Sequence, residues 1–105
     1  HEFMALPVSQ VPPFDIEQPY VTEINGVQME TYIDWMRSCY YISVLGLPAI
    51  SVPCGFTAGD AGTPPLPVGL QLVGRPQADF AVLQLAYAFE RATGFWKRRP
   101  PVVAG

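Results

Sequence analysis

The sequence predicts an α/β fold in which a partial mixed sheet of few strands packs with two main helices. Two short β-prone segments, AISVPCGF and LPVGLQLVGRP, each adjoin a longer segment with helical spacing of apolar residues. The 105 residues suffice for one small domain. Only 14% of them are charged, against about 25% in an ordinary globular domain. The low charge indicates either a deeply buried interior or a chain that packs against further protein.

The amino-terminal part is predicted to be irregular. His-Glu-Phe before Met4 looks like a remnant of an expression vector, so residues 1–3 are set aside from functional argument. Proline fixes φ and donates no hydrogen bond. Residues 4–22 are therefore expected to form an extended arm, since they contain Pro7, Pro12, Pro13 and Pro19.

Residues 23–95 are expected to carry the regular structure. Asn25-Gly26 lies between short β-prone runs and predicts a type I′ hairpin, with a short loop turn as the alternative. Apolar residues then recur every three or four positions, which predicts a helix from Met29 to Leu45. Gly46 and Pro48 should stop it. The solvent side of that helix would carry Glu30, Asp34 and Arg37.

Two strands are predicted next. In AISVPCGF, Ile50 and Val52 share one face, and Pro53 should end the ladder because it has no N–H group. Residues 57–67 form a surface loop, the best candidate for a mobile segment. In the second strand, Gly69 and Gly74 pack no side chain, so they predict the close approach of another backbone or a ligand.

The last predicted helix begins with Asp79 as its cap and ends at Gly94. Between Phe80 and Phe89 only Gln84 is polar, and a helix that is apolar nearly all round belongs inside a larger body. Residues 96–105 form a basic, proline-containing tail.

Composition argues against several kinds of partner. No apolar run approaches the ~18 residues of a membrane helix, and a formal charge of −3 gives no general attraction to nucleic acid. We expect a cytoplasmic protein with neither partner. The only histidine is His1, so no metal or cofactor is expected. Cys39 and Cys54 could form a disulfide, but free thiols are favoured in the cytoplasm.

The residues do not supply a catalytic set. No imidazole base lies outside residues 1–3, and the only lysine is Lys97, in the tail. Glu30 and Asp34 could form an acid/base pair, although a solvated helix face is favoured. Cys54 could act as a nucleophile but has no activating neighbour in the sequence. The basic residues Lys97, Arg98 and Arg99 could contact phosphate, although a solvated tail is favoured.

Three blocks in order, LGLPAISVPCGFT, LPVGLQLVGRP and LQLAYAFERATGFWKRRP, resemble the carboxyl-terminal end of the amidase signature family. The resemblance runs from about Tyr32 to Pro100, and more weakly from Phe14. It implies that the chain is a fragment of a large α/β domain around a twisted mixed sheet. It also implies hydrolysis of a carboxamide C–N bond, or a related amide transfer, by a Ser–cis-Ser–Lys triad. The family's triad lies upstream of these blocks, so no catalytic residue is carried over.

The resemblance does carry over structural positions. These positions match residues that end a helix and form two strands in the family. They are Gly46, Pro48, Ala49, Ser51, Pro53, Gly55, Pro67, Gly69, Gln71 and Gly74. It implies that Gly69 and Gly74 admit neighbouring backbone of the family domain, most of which is missing here. It also implies that residues before Gly46 border the acyl pocket. The candidate pocket-wall residues are Asp34, Trp35, Tyr40 and Tyr41, with ordinary helix packing as the alternative. Ser43 departs from the family, many of whose members have asparagine there.

Two functions remain open at this point. The resemblance implies that the chain is the carboxyl-terminal portion of an amidase, whose partner is the remainder of the amidase domain. Alternatively it is a free-standing, non-enzymatic α/β interaction module that acts through self-association or a protein partner. In either case the isolated chain is expected to be non-catalytic and to self-associate, as a two-fold dimer. A nucleic-acid accessory role of the basic tail is the weakest alternative.

Overall fold

The computed structural model describes residues 1–99, and a three-stranded antiparallel sheet lies at its centre. The predicted α/β class, with few strands and two main helices, is confirmed. No helix among these residues is long and apolar enough to cross a membrane. The elements in chain order are β1 (Phe3–Pro7), β2 (Glu23–Ile24), β3 (Val27–Gln28), α1 (Arg37–Leu45), β4 (Ala49–Phe56), β5 (Pro67–Gly74) and α2 (Asp79–Thr93).

The core lies between the β4–β5 pair and α2. Alternation along β4 directs Ile50 and Val52 to the same face, as predicted, where they meet Leu70 and Leu72 of β5. Val52 is only 1% exposed. This face packs on α2 through Ala86, with Leu85 and Phe89 beside it. Apolar burial at roughly 25 cal/mol per Å² is the main term that holds the helix on the sheet.

Pro53 does not end its strand, contrary to the prediction. β4 continues to Phe56 through a bulge, in which Pro53 pairs with Gly69 and Gly55 pairs with Val68. Because β5 is central and β4 is an edge strand, a residue without an N–H group is tolerated there. The bulge leaves Cys54 as the extra residue of β4.

The arm is not irregular throughout. β1 pairs with β5 in antiparallel register, with Phe3 opposite Gly74 and Pro7 opposite Leu70. The residues before Pro7 all carry the N–H groups that a strand needs, which explains why this stretch can pair. The carbonyl oxygen of His1 also accepts a hydrogen bond from Arg75 Nε, at 3.2 Å. Phe3, although it resembles part of a vector remnant, therefore belongs to the sheet.

The hairpin and the end of α1 follow the sequence. Asn25 and Gly26 have φ values of 51° and 80°, as a type I′ turn requires. Gly46 ends α1 in the left-handed conformation, with φ 69°. The predicted start at Met29 is wrong, since α1 begins at Arg37 after a single 3₁₀ turn, Asp34–Met36.

Helix α2 has the predicted bounds but not the predicted cap. Ala78 is the N-cap residue, and Asp79 lies in the first turn without a side-chain capping bond. Gly94 ends the helix with φ 68°. Val82 and Ala86 are buried against the sheet. Along the outer side, however, Phe80 is 73% exposed, Leu83 56% and Tyr87 63%.

The predicted loop and the predicted tail both make contacts at the end of β4. The N–H of Thr57 donates to the carbonyl of Leu66 at 2.8 Å, which closes the loop over residues 57–67. After α2, the Arg98 guanidinium lies 4.1 Å from the centre of the Phe56 ring. The start of the tail therefore packs on the end of β4, while residues 100–105 lie outside the described part of the chain.

Candidate functional site

A groove of about 730 Å³ lies between the amino-terminal arm and the sheet. Its floor is the region where β4 and β5 pair around the bulge, and its wall is the chain from β1 to Phe14, with Trp35 beside it. The floor residues are Ser51, Cys54, Pro67, Val68, Gly69 and Leu70.

The arm is fixed in place by α1. The carbonyl oxygen of Val8 accepts hydrogen bonds from Ser38 Oγ and from Cys39 Sγ, both at 2.9 Å. Gln71 Nε2 donates to the carbonyl of Ser38 at 3.3 Å, and Gln71 is only 8% exposed. Since Gln71 alternates with Leu70 and Leu72, α1 lies on the face of the sheet opposite α2. Helix α2 thus packs on one face of the sheet, and α1 reaches the other face through the hydrogen bond between Gln71 and Ser38.

Gly69 leaves the floor of the groove without a side chain at this position. A Cβ atom at this position would lie 2.9 Å from Ser51 Oγ and 3.0 Å from Val8 Cγ2. At Gly74 it would lie 2.5 Å from Val82 Cγ2, in the first turns of α2. Other atoms do approach both glycines closely. The neighbours, however, are side chains of this chain rather than backbone of a missing part of the domain.

A series of aromatic rings positions Trp35 beside the groove. Its indole meets the Phe14 ring edge-to-face at 5.5 Å between centroids, and the Tyr32 ring at 5.9 Å. Tyr20 continues the series against Tyr32. Two polar atoms of groove residues, Trp35 Nε1 and Gln10 Oε1, are buried without a hydrogen-bond partner. A buried polar group without a partner is costly.

Of the four predicted pocket-wall residues, Trp35 lines the groove. Asp34 instead faces its own turn, where its Oδ2 accepts the N–H groups of Glu30 at 2.9 Å and Thr31 at 3.1 Å. The Tyr40 hydroxyl accepts from Arg37 Nε at 3.2 Å, and this bond raises the pKa of Arg37 above its ordinary value. Tyr41 is 55% exposed, with its ring perpendicular to that of Tyr40.

Sequence reasoning did not place the arm at the site. Gln10, Phe14 and the residues around Val8 form the groove wall, although nothing local in a proline-rich segment indicates which surface it covers. Cys54 reaches the floor because of the bulge, which the sequence analysis did not predict. The only feature of the sequence that indicates an ordered arm is the run VPPF, because consecutive prolines hold a segment extended and rigid.

The described part of the groove carries no charged side chain. Among the described lining residues there is no aspartate, glutamate, lysine, arginine or histidine. Within residues 1–99 no group of three or more metal-ligating side chains forms. Cys39 and Cys54 are both free thiols, each half-buried. Ser51 has a hydroxyl at the floor, but no proton acceptor accompanies it among the lining residues, so the groove by itself lacks an activated nucleophile.

The part of the chain that forms the groove matches a known protein family. The profile that describes amidases matches residues 1–83, a range that contains every segment lining the groove. The chain belongs to the amidase family. The matched range begins at residue 1 and so includes β1. The resemblance in the sequence motifs extends toward the amino terminus only as far as Phe14, where it is weak.

Curated relatives agree with this assignment. The chain is 56% identical over 59 residues to the A subunit of glutamyl-tRNA(Gln) amidotransferase from Moorella thermoacetica, a stretch that is 56% of this chain and 11% of that protein. It is 45% identical over 73 residues to the protein of the same name from Methanosarcina barkeri, covering 70% and 14% respectively. The chain thus spans about a seventh or less of the length of these relatives. No solved structure matches it.

Proposed function

We propose that this chain is the carboxyl-terminal portion of an amidase domain, and that the complete domain hydrolyses the C–N bond of a carboxamide. The observation that carries the proposal is the groove, which lies wholly within the part of the chain that matches the amidase family. The order of the three sequence blocks supports the carboxyl-terminal position. The chain spans only a small share of the length of its relatives, which supports the proposal that it is a portion of a longer protein.

In this proposal the chain binds and positions the substrate, while the catalytic triad belongs to the rest of the domain. A Ser–cis-Ser–Lys mechanism needs a nucleophilic serine and a neutral lysine that relays its proton. The groove has no lysine among its described lining residues. The contribution of the chain is an apolar wall that excludes water and holds the acyl group, which favours reaction by fixing the geometry.

The proposed partner of the chain is the remainder of the amidase domain. The outer side of α2, with Phe80, Leu83 and Tyr87, offers a surface on which that remainder packs. A cytoplasmic location agrees with the two free thiols.

Two assays test the proposal. The isolated chain, incubated with simple aryl amides, should show no turnover, because the nucleophile and the proton relay are absent. Co-expression with the Moorella thermoacetica relative truncated before the aligned segment should restore amide hydrolysis. Turnover by the isolated chain that survives repurification and is abolished by Ser51→Ala would contradict the proposal, as would failure to restore activity by a chain that co-purifies with the truncated relative.

A second candidate function is a free-standing interaction module. The exposed side of α2 favours it, since three large apolar side chains in a row are unusual on a solvated helix. In that case the chain forms a dimer through this side and does not bind the truncated relative. The same co-expression experiment therefore separates the two functions.

A further inference from the structure

We propose that residues 91–99 form a binding surface for single-stranded nucleic acid. This surface, named here the basic end, combines the exposed ring of Trp96 with four exposed cations, which are Arg91, Lys97, Arg98 and Arg99. The inference goes beyond the proposed amidase function, because the basic end follows the range that matches the amidase profile, which ends at residue 83.

Charge is distributed unevenly along the chain. All nine Asp and Glu residues lie between Glu2 and Glu90, whereas four of the six Lys and Arg residues lie between Arg91 and Arg99. The formal charge of −3 therefore conceals a short segment with four positive charges and no negative one. Because physiological salt screens charges beyond about 8 Å, a phosphate at this end interacts more strongly with these cations than with distant carboxylates.

The cations of the basic end belong to an ordered turn rather than to a solvated tail. After α2 ends at Gly94, one 3₁₀ turn runs over Phe95–Lys97. The N–H of Lys97 donates to the carbonyl of Gly94 at 3.1 Å, and that of Arg98 donates to the carbonyl of Phe95 at 3.2 Å. Phe95 also meets Phe56 of β4, with 6.4 Å between ring centroids. Binding to a backbone that is already ordered costs less entropy than binding to a disordered one.

Aromatic rings orient two of the cations. The Arg91 guanidinium lies 5.8 Å from the centre of the Tyr87 ring, and its Nη1 donates to the Tyr87 hydroxyl at 3.3 Å. Lys97 Nζ lies 5.7 Å from the centre of the Trp96 ring. A contact with a ring face uses few of the N–H donors of a cation, so both cations retain donors for phosphate oxygens.

The exposed indole distinguishes between the possible polyanions. Trp96 is 51% exposed and lies among the cations, and bases of a single strand stack on such a ring while its phosphates bind the cations. In a duplex the base faces are already stacked on one another, and an acidic peptide has no base to stack. The helix dipole accounts for Arg91 in the last turn of α2, but not for the three cations that follow Gly94.

Fluorescence anisotropy tests the inference on the full chain. The probe is a labelled oligothymidylate of about 15 nucleotides, a length that covers one compact single-strand site. Binding should be saturable at about 50 mM salt, and the logarithm of the association constant should fall against the logarithm of salt with a slope of about −2 to −3. A labelled duplex of the same length should bind at least about fivefold more weakly, because its bases cannot stack on Trp96.

Substitutions separate the contribution of the cations from that of the ring. Lys97→Gln should weaken binding and reduce the salt slope by about 0.7, the value for one phosphate of a single strand. Trp96→Ala should weaken binding about fivefold or more without changing the slope, because it removes stacking and no charge. Arg37→Gln is the matched control and should change neither quantity, since Arg37 also lies over a ring, that of Tyr41 at 6.0 Å, but belongs to α1.

Thermal melting checks that the variants are folded. If Trp96→Ala melts below the unaltered chain, Trp96→Leu replaces it with the same expected loss, because leucine keeps an apolar side chain without an aromatic face.

Four results would overturn the inference. They are the absence of saturable binding, duplex binding as tight as that of the single strand, an equal loss of affinity in Arg37→Gln and Lys97→Gln, and full displacement of the probe by poly-L-glutamate at equal charge concentration. The last result would assign the basic end to an acidic protein instead. None of them bears on the amidase proposal, which depends on restored hydrolysis by the truncated relative.

Discussion

At the scale of single residues, the two glycines of β5 determine how closely the layers of this molecule approach. Gly69 lets Ser51 and Val8 converge over the sheet on the groove side, while Gly74 admits Val82 of α2 on the opposite side. Both glycines are in a strand, where glycine is otherwise unfavourable because it loses backbone entropy and packs nothing. Each glycine leaves space that a neighbouring side chain occupies.

Gly69→Val should destabilise the fold by about 1–3 kcal/mol, the range for an overpacked site. The new Cβ would meet Ser51 Oγ at 2.9 Å and Val8 Cγ2 at 3.0 Å, and the two methyl groups beyond it need further space. Urea denaturation followed by circular dichroism measures the loss. Gly62→Val is the matched control, because only Asp60 Oδ1 lies near that position, at 3.9 Å. An unchanged midpoint for Gly69→Val in the same oligomeric form would show that nothing approaches this strand closely.

Gly74→Ala should also destabilise the fold, and a second substitution should reverse part of the loss. The added Cβ would lie 2.5 Å from Val82 Cγ2, closer than real Cβ atoms approach. Val82→Ala removes that methyl group at the cost of a small cavity. In a double-mutant cycle of unfolding free energies, the pair should therefore cost less than the sum of the single changes. Additive costs would mean that the two positions are not in contact.

At the scale of elements, the late start of α1 shows how a short polar contact overrides helical spacing. Asp34 accepts the N–H groups of Glu30 and Thr31, so the chain forms a closed turn where the sequence predicts helix. Tyr32 and Trp35 then pack with Tyr20 and Phe14 instead of lying along a helix face. Asp34 therefore holds the segment that presents Trp35 to the groove.

Asp34→Ala should cost about 1 kcal/mol of stability, since two backbone N–H groups lose their acceptor. Thermal melting measures this loss. Glu30→Ala is the control, because its side chain takes no part in the turn's two bonds, which use its backbone N–H. If Asp34→Ala left stability unchanged but abolished activity in the reassembled amidase, Asp34 would be a substrate-contacting residue rather than a structural one.

Local patterns predicted those elements that local residues determine. The type I′ turn at Asn25-Gly26, the ends of both helices at Gly46 and Gly94, and the β5 strand follow from positive φ or period-two alternation. The errors have a common cause, which is pairing between distant segments. β1 exists because β5 is there to pair with it, and β4 continues past Pro53 because it lies at an edge. Of the groove, Trp35 was among the residues singled out in the sequence, whereas the arm was not.

At the scale of the whole molecule, the outer side of α2 exposes large apolar side chains to water. Phe80, Leu83 and Tyr87 lie at spacings of three and four residues, so they form one continuous apolar row on the helix. The opposite side of the same helix already packs on the sheet through Val82 and Ala86. We expect the isolated chain to cover the row by self-association.

A single charge should weaken that association. Leu83→Glu introduces a carboxylate into the centre of the row, where burial in an interface is unfavourable. Light scattering at low micromolar concentration should show a dimer or larger species for the unaltered chain and a lower mass for the variant. Gln84→Glu adds the same charge at the neighbouring exposed position and should leave the mass unchanged. A compact monomer of the unaltered chain with cooperative melting would contradict the expectation.

The pairing of β1 with β5 has a consequence for the order in which the chain folds. β4 and β5 are joined by one short loop, so they can meet early, whereas β1 must wait until the far end of β5 is available. During synthesis β1 leaves the ribosome before β4 and β5 and remains without its partner strand while they follow. An unpaired strand at that stage is a hazard, since it can join the sheet of another molecule. Pro7 limits that risk, because it ends β1 with a residue that has no N–H group to offer a foreign strand.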